Sequence, residues 1–274
     1  MTLKSRRGTR PPDPPELPEA ARPPWPPWHA PAALFGAFGA ITVAAIPLIP
    51  VLLVFGISDA LAGIALLALL LVQDGMLLLA AFLLAASKRV PRPWHFGIRA
   101  TRLWPTVGWA VLAFALLLGF ELGYIELFGV DETNVEDLGG ESVVAGVAVA
   151  IGVIVVAPVA EELFFRAFFY RALRTRLSVW PAALIDGIVF GALHFQGFDT
   201  LIILPVIALI GVALCLVYER TGSVFAVIAV HAAFNTVAML AVVPVAAVAI
   251  GATMLVLCLI TPKFTGRWPS PVPA

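Results

Sequence analysis

Few polar side chains interrupt the long apolar runs of this 274-residue sequence, and those that do are types that move or hold protons. Glu161, Glu162 and Arg166 close a stretch that carries no charge from Ser142 to Ala160. Asp186 and His194 share a later apolar run, His231 and Asn235 another, and Gln73 with Asp74 breaks an early one. A charge at the bilayer centre costs about 2.5–3.5 kcal/mol on insertion scales, so such groups need partners, a water-filled cavity or a chemical task. A carboxylate beside a histidine can activate water while neighbouring groups hold the developing oxyanion. A His/Asn face with carboxylates could alternatively hold a divalent metal such as zinc, lowering the pKa of a bound water.

Helical spacing sorts these residues. Glu162 and Arg166 are four apart in the favourable acid-first order, so they share a face and can pair. Glu161 is rotated about 100° away and need not share that cation. His231 and Asn235 repeat the four-residue spacing, as do Phe190 and His194. With a hairpin turn near Ser178, Glu161 lies 17 residues before it and His194 16 after it, at nearly equal height on two helical arms. His231 lies a few turns in from Arg220–Gly222 and can join them.

Each position also has a purely structural reading. The Glu162–Arg166 pair could simply fix packing, and His231–Asn235 could be interhelical hydrogen bonding. Asp186 could stand behind the site or serve packing, and Asp74 reads as a partner for another polar group rather than as a catalytic residue. Gly187 and Gly191, four apart, read as a close helix contact.

Helices in a membrane must position these groups. The sequence is 61% hydrophobic and only 12% charged, with a mean hydropathy of +1.00. Soluble domains are near 25% charged, which excludes that class. Net charge is zero and suggests no nucleic-acid partner. Cys215 and Cys258 lie in apolar runs and read as small core residues rather than a disulfide. The Pro- and Arg-rich residues 1–30 lack the apolar region of a signal peptide and read as a disordered cytoplasmic tail, with Trp25 and Trp28 at the membrane surface.

The expected fold is an all-α polytopic transmembrane helical bundle of about eight spans, with N- and C-termini cytoplasmic. The spans fall near 33–56, 61–86, 105–122, 142–165, 181–196, 200–218, 223–240 and 244–261. The last two are divided only by Pro244, so seven spans is the alternative. With the N-terminus inside, all 17 Lys and Arg fall on inside segments, and all seven Trp lie near inside ends. Glu126, Asp131, Glu132, Glu136, Asp137 and Glu141 fall outside. A transmembrane domain over 31–262 and a short cytoplasmic tail over 263–274 complete the organisation. The setting is an integral membrane protein of the plasma membrane.

Other membrane chemistries lack their residues. Ser58, Ser87, Ser142, Ser178 and Ser223 sit at span ends, and Ser5 and Ser270 in the tails, so no buried serine nucleophile exists. Neither GxGD nor HExxH occurs. An ion-coupled transporter using Glu161, Glu162, Asp74 and the histidines would want broken helix pairs or an inverted repeat, which the sequence does not display. A non-catalytic immunity or scaffold protein is the other alternative.

Glu161-Glu162-x-x-x-Arg166, Phe190-x-x-x-His194 and His231-x-x-x-Asn235, in that order, resemble the signature motifs of the CPBP (Abi, or type II CAAX prenyl endopeptidase) intramembrane proteases. Pro158 and the Phe96-Gly97-Ile98-Arg99 segment resemble that family too, and the likeness spans about 94–240. It implies an endopeptidase acting on a peptide or lipidated-protein substrate among membrane lipid, prenylated or of bacteriocin type. Glu161 would be the general base on water, assisted by His194. His231 and Asn235 would form the oxyanion side, with Glu162 and Arg166 in support. The family is often labelled metalloprotease. If a metal such as Zn is present, Glu161, His194, His231 and Asn235 would hold it, and a metal-free glutamate mechanism is the reading preferred here because HExxH is absent.

Overall fold

A computed structural model describes residues 23–46, 59–129 and 142–265. Most of the N-terminal tail, the end of the first expected span, five of the six outside acids and the last nine residues lie outside this set. The described residues form an all-helical bundle: α1 (His29–Ala45), α2 (Asp59–Ala86), α3 (Leu103–Phe128), α4 (Val143–Arg174), α5 (Val179–Ala192), α6 (Leu204–Thr221), α7 (Val224–Ala238) and α8 (Pro244–Ile260). Five of these, α2, α3, α4, α6 and α8, are long and apolar enough to cross a membrane, whereas α1, α5 and α7 are shorter.

The helices start and stop for local reasons. Ser142 caps α4, its hydroxyl accepting from the Ala145 amide. Gly222 ends α6 with φ +59°, a left-handed cap that a side chain would strain. Pro244 opens α8 after a break from α7, so the expected boundary there is present. α5 stops at Ala192, four residues short of the expected 196, and His194 lies in the turn beyond it. The cause is the histidine itself: its Nδ1 donates to the Phe190 carbonyl (2.8 Å), while its own amide turns to Gly191.

α4 and α6 are the enclosed helices, with 56% of their apolar stretches buried against 11% for α3, which leaves α3 for lipid. α5 meets α6 almost backbone to backbone. A Cβ on Gly187 would lie 2.5 Å from Val212 Cγ2, and one on Gly191 2.8 Å from Ala208 Cβ. The expected Gly187/Gly191 contact is therefore real, and it brings α6 within reach of α4's polar groups.

The N-terminal segment departs from expectation. Trp25 is buried rather than part of a disordered tail or a surface anchor, because its Nε1 donates to the Phe168 carbonyl (3.3 Å) and its indole stacks on Phe96 (5.1 Å). α1 accordingly begins at His29 rather than near residue 33.

Candidate active site

α4 is not a uniform helix. It widens into π-helical turns at Gly152–Val156 and Phe165–Tyr170, either side of the glutamates. Such turns are rare and concentrate at functional sites. Pro158 explains the first. The Ala157 amide reaches back five residues to Gly152. In that register residue 158 would donate to Val153, but proline has no N–H to give. The Asn235 amide of α7 supplies the missing donor, 2.7 Å from the Val153 carbonyl. One nitrogen of the residue expected on the oxyanion side is thus committed to the α4 backbone.

Glu162 and Arg166 pair as their spacing predicts, at 2.8 Å and with both side chains fully buried. Arg166 is held from three further directions. Its second terminal nitrogen donates to the Gly211 carbonyl (3.1 Å), Nε faces Asp186 Oδ1 at 3.6 Å, and the guanidinium lies 4.3 Å over the Phe190 ring. Asp186, also fully buried, accepts from Cys215 Sγ (3.1 Å). An ion of this size desolvated alone would cost several kcal/mol, and the surrounding contacts offset that cost. Asp186 therefore stands behind Arg166, and Cys215, read from sequence as plain core, has a polar role.

His231 of α7 completes the chain. Its Nδ1 lies 2.8 Å from Glu162 Oε1, the oxygen that also takes Arg166. A carboxylate accepts, so Nδ1 carries the proton and Nε2 is turned outward. That Nε2 faces Glu161 Oε2 at 4.0 Å, and Glu161 Oε2 makes no hydrogen bond. The gap is too long for a direct hydrogen bond and suits a bridging water. The Phe190 ring touches both imidazoles, with centroids 4.8 Å from His194 and 5.9 Å from His231. His194 is the more exposed of the two.

Residues 143–237 match the family described as type II CAAX prenyl endopeptidase Rce1-like. The match runs from α4 through α7 and takes in Glu161, Glu162, Arg166, His194, His231 and Asn235, so the CPBP resemblance holds over that stretch, while the Phe96–Arg99 segment lies outside it. No curated protein matches the chain, and no solved structure does.

The matched region is braced where Arg99 and Arg174 meet α6. Arg99, from the segment before α3, donates to the Thr221 and Gly222 carbonyls (3.2 and 2.8 Å) and pins the α6–α7 turn that sets the depth of His231. Arg174 at the end of α4 makes two bonds to Glu219 of α6 (2.6 and 3.0 Å), and Tyr170 adds a third. Sequence reading missed Glu219 and this role of Arg99, because both depend on partners more than forty residues away.

The residues do not fit a metal centre in this arrangement. Among the described residues no group of three or more His, Cys, Asp and Glu is placed to hold an ion. Two ligands at tetrahedral zinc would stand about 3.3 Å apart. Glu161 and His231 are 4.0 Å apart. The Asn235 Nδ2 donates to the Val153 carbonyl, which leaves only its Oδ1 to offer a metal.

Proposed function

We propose that the protein is a glutamate-dependent intramembrane endopeptidase, in which Glu161 takes a proton from a water lying between it and His231. The observation that carries this reading is the orphaned Glu161 carboxylate oxygen 4.0 Å from a His231 Nε2 whose other nitrogen is fixed by Glu162. The water oxygen bonds the scissile carbonyl carbon as its proton moves to Glu161. His231, oriented by Glu162 and in the form that carries both ring protons, donates from Nε2 to the oxyanion. The C–N bond then breaks and the leaving nitrogen takes the proton from Glu161. Arg166 holds Glu162, Asn235 holds α4 in its widened turn, and His194 contacts substrate.

The matched family's description names prenylated CAAX substrates, so a peptide with a lipidated C-terminal end is the first substrate class to offer. Purified full-length protein in detergent, given farnesylated and unmodified peptides, is expected to cut within the former, as read by mass spectrometry. Absence of cleavage in either set, by folded protein, would overturn the reading. The cell's plasma membrane is the proposed site of action, with both termini inside.

A further inference from the structure

Two adjoining cavities lie where the start of α3, the start of α7 and the end of α8 come together. α3 and α8 are long and apolar enough to cross a membrane, so their ends mark the level where hydrocarbon gives way to headgroups. Trp104, at the start of α3, is exposed there, as an interfacial aromatic would be. The larger cavity, about 340 Å³, is walled by Val155, Val159 and Leu163 of α4, by Ile98, and by apolar side chains of α7 and α8. Thr261 carries the only hydroxyl among its lining residues. Water there would lack the two to four polar partners it needs, and bare walls forgo dispersion contacts, so hydrocarbon is the occupant that fits.

The smaller cavity, about 150 Å³, shares Phe225 and Cys258 with the first but carries polar groups: Thr101, Thr106, Ser223 and Lys263. It opens on the N-terminus of α7, where Phe225 and Ala226 line it. Amides in a helix's first turn have no partner within the helix and, with the helix dipole, favour an anion. Ser223 stands at the N-cap position and is 1% exposed, yet it makes no side-chain cap hydrogen bond, unlike Ser142 on α4. Among the described residues only its amide is bonded, to the Thr221 hydroxyl (3.3 Å). Lys263 is exposed and pairs with no carboxylate among the described residues, and Arg102 lies between the lining residues Thr101 and Leu103. No carboxylate lines either cavity.

We propose that the two cavities together bind one anionic phospholipid, with an acyl chain in the apolar space and the phosphate at the N-terminus of α7, where Ser223 and Lys263 donate to it. A free phosphate would leave the apolar cavity unfilled. A zwitterionic headgroup would bring its own cation against Lys263 and Arg102. Lipid binding here needs none of the hydrolytic residues.

Native mass spectrometry of delipidated full-length protein in detergent, titrated with dioleoyl phosphatidylglycerol, dioleoyl phosphatidylcholine or inorganic phosphate, reads the site directly. One phosphatidylglycerol per chain should be retained at least about fivefold more tightly than phosphatidylcholine, the worth of one basic group at a membrane surface, and phosphate alone should not be retained. Lys263→Ala should lower that preference about fivefold. Ser223→Ala should weaken retention without lowering the unfolding temperature of the lipid-free protein, which a capping role would lower. Cys258→Phe, which fills the wall between the cavities, should weaken retention of both lipids. Equal retention of the two lipids by native protein overturns the proposal, and so does phosphate retained as well as phosphatidylglycerol. A preference untouched by Lys263→Ala and Ser223→Ala overturns it as well. A farnesylated peptide that displaces phosphatidylglycerol one for one would assign the apolar cavity to substrate and overturn the lipid site while leaving the peptidase reading intact.

Discussion

At the residue scale, the site is a line of side chains in which each member fixes the next: Asp186 and Gly211 hold Arg166, Arg166 holds Glu162, Glu162 holds His231, and His231 faces Glu161. The first links are local. The Glu162–Arg166 pair is legible from a four-residue spacing on one helix, and so is the isolation of Glu161 one position earlier. The Glu162–His231 bond joins residues 69 apart and has no signature in spacing. Glu162→Gln keeps the shape but removes one charge of a fully buried pair, so it should lower stability, and in the folded protein it should loosen the His231 tautomer, lowering kcat on the order of a hundredfold with little change in KM. Arg166→Met removes one partner of a fully buried pair and should cost about 3–5 kcal/mol, read as a lowered unfolding midpoint in detergent. Arg166→Lys should recover only part of this, since an ammonium cannot make the guanidinium's several directed contacts.

At the element scale, α4 is shaped as much by what Pro158 lacks as by what it has. The widened turn leaves the Val153 carbonyl to Asn235, and that tie sets α7 against α4 about two turns before the glutamates. Asn235→Ala should strand a buried carbonyl and cost about 1–3 kcal/mol. In a Pro158→Ala background the restored amide can serve Val153, so the same substitution should cost measurably less. A double-mutant cycle on stability reads the difference, and additive effects would contradict the link. The four-residue spacing of His231 and Asn235 shows a shared face, but only the backbone register of α4 reveals that one of them serves structure. The α5–α6 contact was readable from Gly187 and Gly191. The early end of α5 was not, because it depends on a side chain bonding its own helix.

At the scale of the whole molecule, the helices that carry the histidines are short. α5 has 14 residues and α7 has 15. At 1.5 Å per residue these are about 21 and 22 Å, less than the ~30 Å hydrocarbon core. His194 lies just past the end of α5 and is half-buried. In His194→Cys a membrane-impermeant thiol reagent should label the new cysteine, while the native Cys215 and Cys258, both free and buried, stay silent. The eight apolar helices were legible from hydropathy. The lengths of α5 and α7 were not, since apolar sequence runs past the point where each helix stops. The seating of Trp25 on Phe96 and Phe168 was also hidden, because proline-rich composition says nothing about a single aromatic with a distant pocket.

The central claim is that one carboxylate activates the water. The most direct measurement is the single-turnover cleavage rate of native protein beside Glu161→Gln, a near-isosteric change that removes the base and keeps the shape. The account predicts a loss of roughly 10²–10⁴-fold with unchanged substrate binding and folding. A Glu161→Gln protein that cleaves at the native rate would contradict it.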